Sequence, residues 1–560
     1  MYVGVDVGGT FTDAVLLDRG TVRASAKVPT KEDLLESITK AIDEILKGVD
    51  SSQIRRVVFS TTMITNLIAE KKYDRVALLL IPGPGLNYRY YNFNTEAFYL
   101  SGAIDYRGRE VVPLNKGEVD AALANLALKG YKKVGVVGKF SPRNTSHEKY
   151  VAGMIKEKYP DWLVEMGSQA GGQLNFPRRA ETTFLTCATR ESYRYFVSSV
   201  RQALAKREIK ADVFILKADG GTLPLENSEE QPVETIFSGP AASTLGVQAL
   251  IPPGETAVIV DIGGTTTDLA LILSGQPLLS ARGARVDEQL TQVRTLAVKS
   301  VPVGGDSILE RVGKEIIIYS ERLGPAYCMG GPLPTPTDAL RVMGLTLLGD
   351  QDQAREAMNI LGNPIGMNSV EVAERAIGLV VDSIAAEIGK MFLEWEQEPA
   401  YRVWEVLQKK KVRPTIVVGV GGGAAGFITR IAAKVGCAPI IPPYAPVANA
   451  IGAAVAKPTM QVSLRADTEQ GYYIIQEEGY QGKIESKLFN EQKALELARE
   501  WLIRRAARYG LKVTPDDIEV TRKEVFNMIR DWTTTGRLFD ITVQTPRGIV
   551  FHIGEEGGQK

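Results

Sequence analysis

The chain has 560 residues, 44% hydrophobic and 24% charged, a length beyond what one core usually supports, so two large domains plus an extra segment are expected. Its 66 Lys and Arg balance 66 Asp and Glu, which excludes the electrostatic footprint of a nucleic-acid or anionic-membrane binder, and no apolar run reaches the ~20 residues that span a bilayer. Two histidines exclude a His-rich metal site or a Ser-His-Asp triad, and Cys187, Cys328 and Cys437 show neither metal nor disulfide spacing, so a reducing cytoplasm and chemistry by carboxylates, hydroxyls, amides and a hard cation are expected.

The start, MYVGVDVGG, shows no basic leader and predicts a strand over 2–7, a glycine turn, and a second strand from Ala14 to Leu17. Thr30 is positioned to cap a helix whose apolar residues Leu34, Ile38, Ala41, Ile42, Ile45 and Leu46 keep helical spacing. A strand at Val57–Phe59 leads through Ser60, Thr61 and Thr62 into a helix carrying Asn66. Strands are expected at 76–81 and 134–137, and Gly83–Tyr91 reads as a long loop. A long helix is expected from about Thr182 to Lys206, then a strand at 213–217 and a hairpin on either side of Asp261-Ile262-Gly263-Gly264. The period over 370–395 predicts another long helix, followed by a strand at 415–418 that ends in Gly419, Gly421, Gly422 and Gly423. Beyond Pro458 the texture becomes a charged helix, 491–509, and a final β-like stretch. The resulting division is 1–185 with the first turn, 186–458 with the second turn and the glycine-rich element, and 459–560 as a small α+β segment.

One long-period repetition carries the most information. Asp6-Val7-Gly8-Gly9-Thr10-Phe11-Thr12-Asp13 recurs as Asp261-Ile262-Gly263-Gly264-Thr265-Thr266-Thr267-Asp268, roughly 255 residues later. Glycines after a strand let backbone amides approach an anion, threonine hydroxyls add donors, and an aspartate at the strand end offers a hard oxygen to the Mg²⁺ (or Mn²⁺) that accompanies ATP. Two such turns facing each other would clamp a polyphosphate, which is the positioning that phosphoryl transfer needs. Either turn alone is a common structural hairpin. Gly421, Gly422 and Gly423, between a strand and a helix, would let an adenine lie against backbone.

The order of phosphate turn, second phosphate turn and glycine-rich element resembles the acetate kinase/sugar kinase/Hsp70/actin superfamily. Within it, residues 1–460 resemble the A-type subunits of hydantoinase/oxoprolinase proteins, through DVGGTFTD at 6–13, STTMITNLIAEKK at 60–72 and GAIDYRGREVVPL at 102–114. RAETT at 179–183, KADGG at 217–221, PVETIFSGPAAS at 232–243, PTPTDA at 334–339 and IPPYAPVANAIGAA at 441–454 continue the likeness. The resemblance implies two ribonuclease-H-like α/β domains flanking a nucleotide cleft. It also implies ATP-dependent phosphorylation of a carbonyl oxygen in a cyclic amide such as a hydantoin or 5-oxoproline, ring opening, a B-type partner subunit and an oligomer. By it, Asp6 and Asp261 would manage the metal and catalysis. Gly8, Gly9, Thr10, Thr12, Gly263, Gly264, Thr265 and Thr266 would hold phosphates, and Gly239 would line the nucleotide with Gly421–Gly423. Thr61, Thr62 and Asn66 would face the substrate, Arg179 would neutralise developing charge or pair with a carboxylate, and Asp219 and Asp306 are further cleft candidates. Phe11 and the tyrosines 88, 90 and 91 would accept a ring or simply pack.

The likeness is incomplete. Gly304-Gly305-Asp306-Ser307 replaces the usual three glycines and serine, Thr186 replaces a usual Asn, and the tail beyond 460 is short for the family. Ketone carboxylation, a small-molecule kinase and a non-enzymatic nucleotide switch therefore remain as alternatives.

Overall fold

The computed structural model describes residues 1–85, 87, 91–397, 413–485, 488–530 and 532–554. Two sheets of the same topology organise it. In the first, Tyr2–Val7, Phe11–Asp18 and Thr21–Pro29 form an antiparallel meander, and Arg56–Thr61 and then Asp212–Leu216 add in parallel on the other side of Tyr2–Val7. In the second, Ala257–Ile262 and Thr267–Leu273 form the hairpin, Val298–Val301 pairs outside it, and Ile416–Val420 and Ala438–Ile440 add in parallel. This repeated arrangement is the ribonuclease-H-like pair expected from the duplicated turn.

The central strands are apolar on both sides because each sheet is covered twice. Alternation sends Val258, Val260 and Ile262 into a core under the helices Gln351–Gly362, Ser369–Gln397 and Ala424–Val435, whereas Ala257 and Ile259 pack with Val247 and Ile251. Under the first sheet, Val3, Val5 and Val7 meet the helices Leu34–Ile45 and Phe176–Ala205. The helix Leu34–Ile45 is capped by Asp33, whose carboxylate accepts from the Leu35 amide at 2.9 Å, and not by Thr30.

Two helices cross between the lobes. Ser238–Leu250 follows the first sheet in the chain yet covers the second, and Ala448–Val455 follows the second sheet yet lies on Val15 and Leu17 of the first. Small residues permit the crossing: a Cβ on Gly452 would come within 1.8 Å of the Ala242 carbonyl, and one on Gly246 within 2.0 Å of the Ala448 carbonyl.

The boundary drawn at 185/186 falls inside the helix Phe176–Ala205, and the strands Asp212–Leu216 and Thr222–Pro224 belong to the first sheet. Between Arg56–Thr61 and that helix the chain builds a separate four-stranded parallel sheet, in the order Leu163–Met166, Lys133–Gly138, Ala77–Ile81, Glu96–Tyr99. The C-terminal segment is α+β: a five-stranded antiparallel sheet with the helix Glu491–Arg508 laid on it through Ala494, Ala498, Leu502 and Ala506. No helix of the described residues is long and apolar enough to cross a membrane.

Candidate functional site: two facing glycine turns

Each hairpin closes with the same bond. The Gly8 amide donates to the Phe11 carbonyl at 3.0 Å, and the Gly263 amide to the Thr266 carbonyl at 3.0 Å. The equivalence extends to the register, in which Asp6 lies opposite Asp13 and Asp261 opposite Asp268. The third strand breaks the symmetry: Lys27 stands opposite Asp13 and contacts both its carboxylate oxygens at 2.8 Å, whereas Ser300 stands opposite Asp268. One half of the cleft therefore carries a fixed cation that the other half replaces with a hydroxyl.

Both strand-end aspartates sit in polar cradles assembled from distant parts of the chain. Asp6 is 5% exposed and accepts hydrogen bonds from the Ser60 hydroxyl and from Asn449 Nδ2 at 3.3 Å. Burial raises its pKa, against the pull of Ser60, Asn449 and Lys27. Asp261 is pushed up to about 7, first by burial and then by the charges of Asp268 and Asp6, while a hydrogen bond from Ser243 opposes the shift. Ser243 and Asn449 come from the two crossing helices, so the interlobe packing also positions the carboxylates. Asp13, beside Lys27, rises to about 6 because burial outweighs the lysine.

The remaining predicted residues divide into those the cleft gathers and those it does not. Gly9, Thr10, Gly263, Thr265 and Thr266 are exposed, with Gly8 and Gly264 half-buried, so that the threonine hydroxyls face solvent while the Gly8 and Gly263 amides close the hairpins. Asn66 and Thr62 lie beside the first turn: a Cβ on Gly9 would be 3.1 Å from Asn66 Nδ2, and one on Gly239 would be 3.0 Å from Thr62 Cγ2. The glycine-rich element packs onto the second turn. Gly421 has φ +83° and leaves only 2.5 Å between a notional Cβ and Asp261 Oδ1, so both its conformation and its contact require glycine. The Gly423 amide donates to the Ile262 carbonyl at 3.1 Å, while Gly422 faces open space. Asp306, the departure from the family pattern, is a cleft residue. Its amide donates to the Gly264 carbonyl at 2.7 Å, and its carboxylate pairs with Arg322 at 3.0 Å. Phe11 is exposed with Lys27 5.2 Å from its ring centroid and Tyr91 is exposed too, whereas tyrosines 88 and 90 lie outside the described residues.

Four of the expected residues are placed away from the open face of the turns. Thr12 is fully buried, its hydroxyl 2.9 Å from that of Thr30, which donates to the Gly8 carbonyl; it braces the first turn from behind. Thr61 is fully buried, its hydroxyl accepting from the Met63 amide at 3.1 Å and starting that helix. Arg179 has no exposure and no carboxylate partner among the described residues; it ties the long helix to the inserted sheet through the carbonyls of Gln173, Gly138 and Lys139. Asp219 lies in a different cavity, described below. Conversely, Ser60, Asn449, Ser243 and Lys27 were not singled out. Three of them lay inside quoted motifs, at 60–72, 232–243 and 441–454, but only the fold shows that those segments converge on the aspartates.

The hydantoinase/oxoprolinase family model matches residues 179–462, and the model of its N-terminal region matches residues 2–159. The chain belongs to the hydantoinase/oxoprolinase family. Within it, the chain is 24% identical over 490 residues to the caprolactamase subunit alpha of Pseudomonas jessenii, covering 79% of this chain and 68% of that protein. It is 23% identical over 448 residues to the acetophenone carboxylase gamma subunit of Aromatoleum aromaticum, covering 69% of this chain and 60% of that one. The hydantoinase/oxoprolinase fold is shared with nucleotide-free acetone carboxylase (TM-score 0.74, 16% identity, 98% of this chain and 88% of that chain). It is shared equally with the ATP-dependent caprolactamase of P. jessenii (TM-score 0.71, 18% identity, 98% and 87%). Among the described residues, no three His, Cys, Asp or Glu side chains form a preformed metal cage.

Proposed function

We propose that this chain uses ATP to phosphorylate the carbonyl oxygen of a cyclic amide, so that water opens the ring. The observation that carries the reading is the pair of aspartates, Asp6 and Asp261, each at the end of an equivalent hairpin and close enough for Asp6 to raise the pKa of Asp261. An amide carbonyl is held by resonance. Transfer of the γ-phosphoryl group to its oxygen breaks the bond to ADP and leaves a phosphate ester of the imidic acid. Water then adds at carbon, collapse of the adduct breaks the C–N bond with the proton passing to nitrogen and leaves an acyl phosphate, and a second water releases phosphate and the carboxylate. The relatives named for caprolactamase and 5-oxoprolinase support this substrate class.

The two turns, Gly8, Gly9 and Thr10 on one side and Gly263, Gly264, Thr265 and Thr266 on the other, fit a polyphosphate through their exposed backbone and hydroxyls, the Gly8 and Gly263 amides being engaged in closing the hairpins, and Gly421–Gly423 fit the adenosine side. Asp6 and Asp261 would hold a divalent cation, directly or through water, which when bound neutralises phosphate charge. The half-titrated Asp261 suits a proton held or released at neutral pH, and Thr62 and Asn66, beside the first turn, are the residues we assign to the substrate. A B-type subunit would complete ring opening, as the "subunit" in both relatives' names suggests, and we place the reaction in the cytoplasm.

A second reading, phosphorylation of a ketone's enol oxygen before carboxylation, draws support from the acetophenone carboxylase relative. Phosphate release from Mg·ATP, measured with 5-oxoproline, hydantoins, lactams or ketones and with and without a B-type subunit, separates the two. Stimulation by lactams with ring opening is expected. Stimulation by ketones alone would favour the second reading, and no stimulation by any of them would overturn both.

A further inference from the structure

A cavity of about 920 Å³ lies away from the cleft, where the loop after Asp212–Leu216, the segment before Val298–Val301 and the C-terminal module meet. None of the glycine-turn residues lines it. Its volume is that of a small-molecule site. Lys217, Arg294 and Arg547 converge there from three separate parts of the chain.

Their charges are incompletely matched. Asp219, buried and held by the Gly221 amide at 3.0 Å, is shared by Lys217 at 3.5 Å and Arg547 at 3.9 Å. Lys217 also lies 3.7 Å from Glu234. Arg294 makes no ion pair among the described residues. It donates at 3.4 Å to the side-chain oxygen of Gln544, which also accepts from Arg547 at 3.1 Å. Two guanidinium groups thus share one neutral acceptor, and burial, then the neighbouring Arg547 charge, lowers the pKa of Arg294. Two further lining residues carry buried donor atoms without partners. The Thr459 hydroxyl, 7% exposed as a residue, has no hydrogen-bond partner. Arg505 Nε and Nη1 are likewise buried without one, the nearest carboxylate being Glu478 at 3.7 Å from Nε. Buried donors and like charges left in this state cost stability unless an acceptor fills the space between them.

We propose that this cavity is a second binding site, for a small oxyanion-bearing metabolite held by Arg294 and Arg547, with Lys217 completing the contacts. The paired guanidinium forks match the two oxygens of a carboxylate or phosphate. Glu477 and Glu478, which also line the cavity, disfavour a polyanion such as a nucleoside triphosphate and favour a ligand of low charge, including one that also carries an ammonium group.

The test uses the full chain, with inorganic phosphate and L-glutamate as separate probes, read by calorimetric titration and by thermal melting. Saturable binding of at least one probe is expected, weakened about tenfold or more in Arg294→Gln and in Arg547→Gln, with Mg·ATP affinity unchanged in both. Phosphate binding alone would identify a phosphate ester as the ligand class, and glutamate binding alone a carboxylate. Lys217→Gln gives a third reading if an arginine variant does not fold, and is expected to weaken the same probe several-fold. The proposal is overturned if neither probe binds saturably, if binding survives in every variant that folds, or if the variants lose Mg·ATP instead.

Discussion

At the scale of single residues, the two strand-end aspartates make predictions that the buried threonines and arginine do not share. Asp6→Asn or Asp261→Asn is expected to lower substrate-stimulated phosphate release by about 100-fold or more while the melting temperature stays near that of the parent chain. A double variant with full activity would remove both residues from the site. Asp261 also sets a pH dependence. With its folded pKa raised to about 7, the ligand-free protein holds a proton there that the unfolded chain has lost above about pH 4, so this group's contribution to stability declines as pH rises through that window. A cation binds the carboxylate form. Mg·ATP affinity should therefore climb from roughly pH 6 to 8, with a proton released on binding below about pH 7, and the slope should flatten in Asp261→Asn. Titrations in buffers of different ionisation enthalpy read both effects. Thr12→Val, by contrast, should cost about 1 kcal/mol in denaturant melts with little change in ATP affinity, because the Thr12 hydroxyl bonds Thr30 and not the cleft. Arg179→Met should cost about 3 kcal/mol, since it strands carbonyls of the inserted sheet.

At the scale of elements, the duplicated turn and its flanking strands were legible in sequence because both halves obey the same local rule: apolar alternation, two glycines, hydroxyls and an aspartate at the strand end. The helix start at Leu34 was legible in its apolar spacing but not in its cap, because Thr30 and Asp33 are both good N-caps and only the turn geometry recruits Thr30 to the Gly8 carbonyl. What could not be read was the exchange of helices. Nothing local in Ser238–Leu250 says that it covers the second sheet, and so neither Ser243 nor Asn449 could be tied to an aspartate in advance. The same blindness placed a boundary at 185/186, where a continuous helix feeds strands back to the first sheet. The crossing predicts a steric test. Gly452→Ala places a methyl group within 1.8 Å of the Ala242 carbonyl, and a loss of about 3 kcal/mol or more is expected from thermal or urea unfolding. Because Asn449 sits on the same helix, phosphate release should fall in that variant even under conditions where it stays folded.

At the scale of the whole molecule, the two glycine turns stand on two lobes, and Thr62 and Asn66, which we propose face the substrate, lie beside only the first. The fixed cation Lys27 belongs to that lobe as well, so the cleft is chemically lopsided although its backbone is nearly symmetric. The crossing helices have a further consequence, for the order in which the protein can be made. The first sheet leaves the ribosome by about residue 224, yet the helix that covers its inner face, Ala448–Val455, follows more than two hundred residues later. At ordinary rates of synthesis, Val15 and Leu17 stay uncovered for roughly ten to fifty seconds. A gene split before residue 448 should therefore yield two insoluble pieces that become soluble only when made together, read by the soluble fraction of each expressed alone and of both co-expressed.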